Sequence, residues 1–272
     1  MIIGFIGTGN MGGAILEGYS KSEASKGNDI IAYNLNEEHS KRAVERTDGK
    51  CRIVKGNLEL CKTADTVIIG VKPQVIDVVL DEIADAFGGG DKILVSMAAG
   101  ISIQHIIDHV GDKTKIIRIM PNTPAMVGEA MTAVCRNDLV TDEEFARTKV
   151  IFDSIGVAEE VDEDLIDCVI GVSGSSPAYT YMYIDALVRA AVANGMEDSK
   201  ARVFAAQAVL GAAKMVLESD ESIEQLRINV CSPGGTTIEA VNKLFENGFI
   251  EKTMEGFQAA VDRSIEMTNE KK

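Results

Sequence analysis

An apolar run, Ile2-Ile3-Gly4-Phe5-Ile6, leads directly into Gly7-Thr8-Gly9-Asn10-Met11-Gly12 and then into a helical pattern, Ala14-Ile15-Leu16-Glu17-Gly18. Strand, glycine turn and helix in that order open a dinucleotide-binding fold. Gly7 makes the tight turn, Gly9 lets backbone touch a pyrophosphate, and Gly12 lets the helix pack closely on the strand. The glycine spacing alone is weak, but here it has the required strand before it and helix after it. Gly7, Thr8, Gly9, Asn10, Met11 and Gly12 are therefore candidate cofactor contacts.

The alternation continues and makes a doubly wound, mostly parallel sheet. Strands are predicted over Asp29–Tyr33 and residues 66–71, 92–96 and 115–120, with helical patterns between them. A strand from Met131 to Cys135, a helix over about 142–154 and a short last strand close this first domain. The second strand ends at Asn34-Leu35-Asn36, where an NAD-preferring fold places a carboxylate on the ribose hydroxyls. Amides at Asn34 and Asn36, with Lys41 and Arg42 soon after, favour NADPH while leaving NADH possible.

Ligands on open α/β sheets lie outside the C-terminal strand ends. Those ends carry Val71-Lys72-Pro73, Ser96-Met97-Ala98-Ala99-Gly100 and Arg118-Ile119-Met120-Pro121-Asn122-Thr123-Pro124. Lys72 reads as a base or a cofactor contact, and equally as a plain exit from the sheet before proline. Two prolines stiffen the loop around Asn122, so its amide is expected to be held in place, as a group touching a nicotinamide should be.

Composition excludes several classes. A net charge of -15, from 42 acidic and 27 basic residues, argues against nucleic-acid and anionic-membrane partners and favours a small molecule. No targeting signal or bilayer-length apolar run is seen, which points to a cytoplasmic protein. Five scattered cysteines form no pair of metal or disulfide spacing. His105 and His109 stand at i, i+4, but the sequence offers no third ligand, so they read as helix surface and no metal site is expected. The acidic run from Glu159 to Asp164 reads as the start of a helix.

Beyond residue 162 strand patterns vanish. Ser176-Pro177 reads as a cap and first-turn pair for a helix running from Ala178 to Asn194-Gly195, followed by a second helix over about 198–217. Both are apolar on most faces, which in a short C-terminal domain implies burial against another subunit, an obligate homodimer. The expected organisation is a dinucleotide-binding domain over 1–160 and a helical substrate-binding and dimerisation domain over 161–272. Within the latter, Ser232-Pro233-Gly234-Gly235-Thr236-Thr237 combines a helix-starting proline, two glycines and two hydroxyls beside a helix N-terminus. That suits a small anion, although an ordinary helix-turn-helix corner has the same look.

These stretches, taken in order over nearly the whole chain, resemble the pyrroline-5-carboxylate reductases, as does Gly174-Ser175-Ser176-Pro177-Ala178-Tyr179. One departure is Ser176, where the family usually has glycine. The resemblance implies a Rossmann domain, an interlocking helical dimer, often five dimers in a ring, and reduction of 1-pyrroline-5-carboxylate to L-proline with NADPH or NADH. By position, Asn57 would contact the adenosine end of the cofactor, Lys72 and Pro73 would lie along it, and Thr236 and Thr237 would meet the substrate. Ser232, Gly234 and Gly235 complete the substrate set, with backbone N–H groups on the carboxylate and the Thr237 hydroxyl toward the ring nitrogen. The pocket would then be completed at the dimer interface. Two rivals are a relative of the 3-hydroxyacid and 6-phosphogluconate dehydrogenases, which would need Lys200 or Lys214 as its catalytic lysine, and a non-catalytic NADP-binding redox sensor.

Overall fold

The computed structural model describes residues 1–270 and divides into two compact units. Residues 1–175 form one together with the segment from Ala260 onward, and Ser176–Ala259 form the other.

The first unit is built on eight strands: β1 (Ile2–Ile6), β2 (Asp29–Tyr33), β3 (Cys51–Ile53), β4 (Thr66–Ile69), β5 (Ile93–Ser96), β6 (Lys115–Met120), β7 (Ala130–Arg136) and β8 (Gly156–Glu160). Their order is β3-β2-β1-β4-β5-β6-β7-β8. Every neighbouring pair is parallel except β6 and β7. The helices between them are α1 (Asn10–Lys21), α2 (Glu37–Arg46), α3 (Asn57–Thr63), α4 (Ile76–Ile83), α5 (Ile103–Val110) and α6 (Asp142–Asp153), followed after β8 by the single turn α7 (Ile166–Val169). Helices on both faces explain why β4 and β5 are buried along their whole length and apolar apart from Thr66 and Ser96. The strand order reverses where β1 meets β4, so a crevice opens at the C-terminal ends of these two strands.

Three expectations change. β3 is a strand that the sequence reading lacks. The strand expected over 66–71 stops at Ile69, because Gly70 packs so closely on the first turn that a Cβ there would sit 2.5 Å from the Gly7 carbonyl oxygen. The helix expected from Ala178 begins at Ser176, and no loop precedes it. The chain enters from a five-residue π turn, Ile170–Gly174, with the Ser175 N–H bonded to the Ile170 carbonyl at 2.8 Å. Ser176 is thus the first residue of the helix, and its carbonyl accepts from Thr180 Oγ1.

The second unit contains α8 (Ser176–Ala193), α9 (Asp198–Glu218), α10 (Ile223–Val230), α11 (Thr236–Glu246) and the start of α12 (Phe249–Asn269). Its buried cluster consists of Val188, Ala201 and Ala205 where α8 meets α9. Tyr181, Met182, Phe204, Leu210 and Met215 are exposed in the single chain. No helix among the described residues is long and apolar enough to cross a membrane.

Candidate functional site

The turn after β1 has the geometry that its glycines predict. Gly7 lies at φ +84°, and its N–H bonds to the Tyr33 carbonyl at 3.0 Å. A Cβ on Gly12 would run into the Gly7 carbonyl oxygen. Gly9 is the N-cap of α1, with no side-chain cap and no acid in the first turn, and a Cβ on it would meet nothing within 4 Å. The first intrahelical bond here runs from Gly13 N to Gly9 O at 2.9 Å, so the N–H groups of Asn10, Met11 and Gly12 precede it. Uncapped N–H groups, the helix dipole and open space together make an anion cradle.

Around this cradle the predicted residues divide by what their side chains already hold. Asn34 is buried, and its Oδ1 accepts from Thr8 N at 2.6 Å and from Thr8 Oγ1 at 3.0 Å, so it fixes the glycine turn to the end of β2. Asn36 caps α2, accepting from Glu38 N at 2.9 Å. Both amides are therefore engaged within the protein. Asn122 is buried and doubly held: its Nδ2 donates to the Ser173 carbonyl at 3.0 Å and its Oδ1 accepts from Met131 N at 2.9 Å. Ala98 is buried beside Ser96, whereas Lys72 is exposed and Val71 and Pro73 are half-buried at the end of β4. Asn57 stands at the start of α3 and donates from Nδ2 to Glu82 Oε2 at 2.7 Å, while its buried Oδ1 has no partner.

The second candidate region lies in the helical unit. Ser232 to Gly235 form a turn closed by Gly235 N–H to the Ser232 carbonyl at 3.0 Å. Pro233 at the second position and Gly234 at φ +70° at the third are the signature of a type II turn. Gly235 becomes the N-cap of α11 with no side-chain cap, so the N–H groups of Thr236 and Thr237 open the helix uncapped. Thr236 is exposed and Thr237 half-buried. Lys214, considered as a catalytic lysine, is exposed and paired with Glu218 at 3.4 Å, and Lys200 is exposed.

Other sequence features have structural partners. The acidic run does not simply start a helix: Glu159 and Glu160 lie in β8, where Glu160 pairs with Arg136 at 3.0 Å. Glu163 accepts from Ile103 N at 2.7 Å and from Arg118 Nη1 at 2.8 Å. Burial pushes the thiols of Cys51, Cys61 and Cys135 up to about 12, which leaves them as protonated core side chains at neutral pH. His105 and His109 do have partners on α4, which sequence spacing alone missed because those partners come from another element.

The chain is similar to known proteins over nearly its whole length. Residues 163–267 match the family described as "Pyrroline-5-carboxylate reductase dimerisation", and residues 2–100 match "NADP oxidoreductase coenzyme F420-dependent". Pyrroline-5-carboxylate reductase of Escherichia coli is 43% identical over 266 residues, covering 98% of each chain. The solved pyrroline-5-carboxylate reductase of Coxiella burnetii superposes with a TM-score of 0.91 at 32% identity, covering 98% of each chain. The Plasmodium falciparum pyrroline carboxylate reductase, solved with NADP bound, gives 0.86 at 30% identity, again covering 98% of each.

Proposed function

The chain belongs to the pyrroline-5-carboxylate reductase family, and from that premise we propose how its own residues reduce 1-pyrroline-5-carboxylate to L-proline. The observation that carries the reading is the uncapped N-terminus of α11 behind the glycine turn at Ser232–Gly235. The α1 cradle suits the phosphates of a nicotinamide dinucleotide, so the Ser232–Gly235 turn and the start of α11 are left for a different anion, the substrate carboxylate.

The cofactor, when bound, supplies the hydride that the imine carbon receives. Gly7 to Gly12 would hold its pyrophosphate, and the unpartnered Asn57 Oδ1 fits a donor from the adenosine end. Val71, Lys72, Pro73 and Ala98 would lie along the cofactor, with Asn34, Asn36 and Asn122 setting the shape of the surrounding turns. NADPH is preferred in this reading, because no carboxylate stands from Asn34 to Asn36 to repel a 2′-phosphate.

A protonated imine is already electrophilic, so placement and charge complementarity do most of the work. The backbone N–H groups of Gly234, Thr236 and Thr237 hold the carboxylate with help from the peptide dipoles, while the Gly235 N–H closes the turn. The Thr237 hydroxyl meets the ring nitrogen, Thr236 supports the same end, and Ser232 and Gly235 shape the turn. Losing the Thr237 hydrogen bond should cost about 1–3 kcal/mol of transition-state stabilisation, roughly 5- to 150-fold in kcat/KM. Steady-state kinetics of Thr237→Ala with pyrroline-5-carboxylate tests this. Wild-type kcat/KM would remove Thr237 from the mechanism, whereas a loss with unchanged cofactor affinity is the expected result.

The helical domain, taken from about residue 161, is read as the substrate and dimerisation domain. The chain forms homo-oligomers through it, with five dimers as the proposed complete assembly.

A further inference from the structure

On the flank of the first unit, α4 and α5 run side by side in the same direction and present matched pairs of side chains. Asp77 and Asp81 stand one turn apart on α4, and His105 and His109 one turn apart on α5. His105 Nε2 lies 2.9 Å from Asp77 Oδ1, and His109 Nδ1 lies 2.6 Å from Asp81 Oδ1. The two imidazole rings are 5.0 Å apart, centroid to centroid. Asp77, His105 and His109 each offer a ligand atom, and these atoms all lie within 4.8 Å of one another.

We infer that Asp77, His105 and His109 bind a zinc ion that clamps α4 to α5, a site separate from the reductase chemistry. Two imidazoles and one carboxylate are a donor set that zinc takes in four-coordinate sites with water in the fourth position. Ligand atoms about 2.0–2.1 Å from a tetrahedral zinc stand about 3.4 Å apart. The His105–Asp77 separation is already near that value, and a small rotation of the His109 ring or of the Asp77 carboxylate closes the rest. In the metal-free protein one proton sits between His105 Nε2 and Asp77 Oδ1, and the ion takes its place. Asp81 supplies the outer carboxylate on His109 that fixes the ring and its tautomer, the arrangement found around zinc-bound histidines.

The surroundings favour an organised site. The helices beneath it are anchored by Ile76, Leu80, Ile103 and Ile106, all buried, so the backbone positions of the four side chains are fixed by packing. The side chains are accessible to an ion from solvent: those of His105 and His109 are 17% and 23% exposed, and that of Asp77 is 36% exposed. α4 follows Val71-Lys72-Pro73, and α5 follows Ser96 to Gly100. A clamp here would therefore stiffen two strand-end loops that border the crevice, and it would act on stability.

The test uses the full-length protein stripped with a chelator and titrated with zinc chloride alone. Calorimetry should give one zinc per chain, and thermal unfolding should shift upward as zinc binds the folded state, reversibly on chelation. His109→Ala and Asp77→Asn should lose the shift while keeping metal-free Tm near wild type, and Asp81→Asn should weaken affinity on the order of 10–100-fold. Cobalt substitution should give the intense visible bands of a four-coordinate site, absent in His109→Ala. A zinc-induced shift retained in His109→Ala, or an equal shift with magnesium, would show general binding to an acidic surface and overturn the inference. So would no stoichiometric binding to the wild type.

Discussion

Asn34 shows how a single residue carries two constraints. Its Oδ1 holds Thr8 by both the backbone N–H and the hydroxyl, so the glycine turn depends on it, while in the proposed function its lack of charge spares a 2′-phosphate. Aspartate keeps the acceptor and adds a charge. Asn34→Asp should therefore fold with near wild-type stability, lower kcat/KM with NADPH by at least tenfold, and change it much less with NADH. Steady-state kinetics with both cofactors measures this, and an unchanged ratio would separate Asn34 from cofactor choice. At this scale the sequence revealed residue types but not their partners. The absence of a carboxylate after β2 was legible; that Asn34 and Asn36 are bound within the protein was not, because hydrogen-bond pairing over 26 residues has no local signature.

Among elements, those defined by local chemistry were the ones readable from the chain. β1, the glycine turn and α1 follow from apolar run, glycine spacing and helical period. β3 escaped because three residues, Cys51-Arg52-Ile53, are too few to show an alternation, and it becomes a strand through pairing with β2. The start of α8 escaped because a π turn joins it to the helical chain before it, so the expected cap is inside the helix. The docking of α6 on the sheet offers a test at this scale. Glu144 lies 2.6 Å from Lys115 of β6 and completes a capping box with Thr141. The Lys115 hydrogen bond, then the Thr141 backbone and hydroxyl, hold its carboxyl below the usual glutamate range. A lowered folded value stabilises above the unfolded value, about 4.3, and the benefit is lost as pH falls through the folded value. Thermal unfolding of Glu144→Gln should thus differ most from wild type near neutral pH, and the two should converge as pH falls through the lowered folded value. A difference that does not change with pH would remove the ion pair from the explanation.

For the whole molecule, the helical unit cannot sustain itself by its own core. Val188, Ala201 and Ala205 are its buried apolar cluster, while aromatic and methionine side chains on α8 and α9 face outward. Sedimentation at micromolar concentration should give no folded 29.1 kDa species. Phe204→Glu on α9 should dissociate the assembly and abolish activity together. A stable, active monomer would contradict both the interface and the idea that the pocket is completed across it. That these helices need a partner was legible from their all-round apolar character; the interlacing of the two units along the chain was not. α12 starts in the helical unit and returns to the first, where Ser264 donates to Asp167 and Met267 packs on Gly100. The first unit is therefore completed by a segment that follows the helical unit in the chain. During synthesis it must wait, incomplete, while roughly a hundred further residues are added at about 5–20 residues per second. A nascent chain stalled before Ala260 would expose the Gly100 and Asp167 surfaces to chaperones and proteases, and emergence of the segment from Ala260 becomes the step that commits the first unit to its folded state.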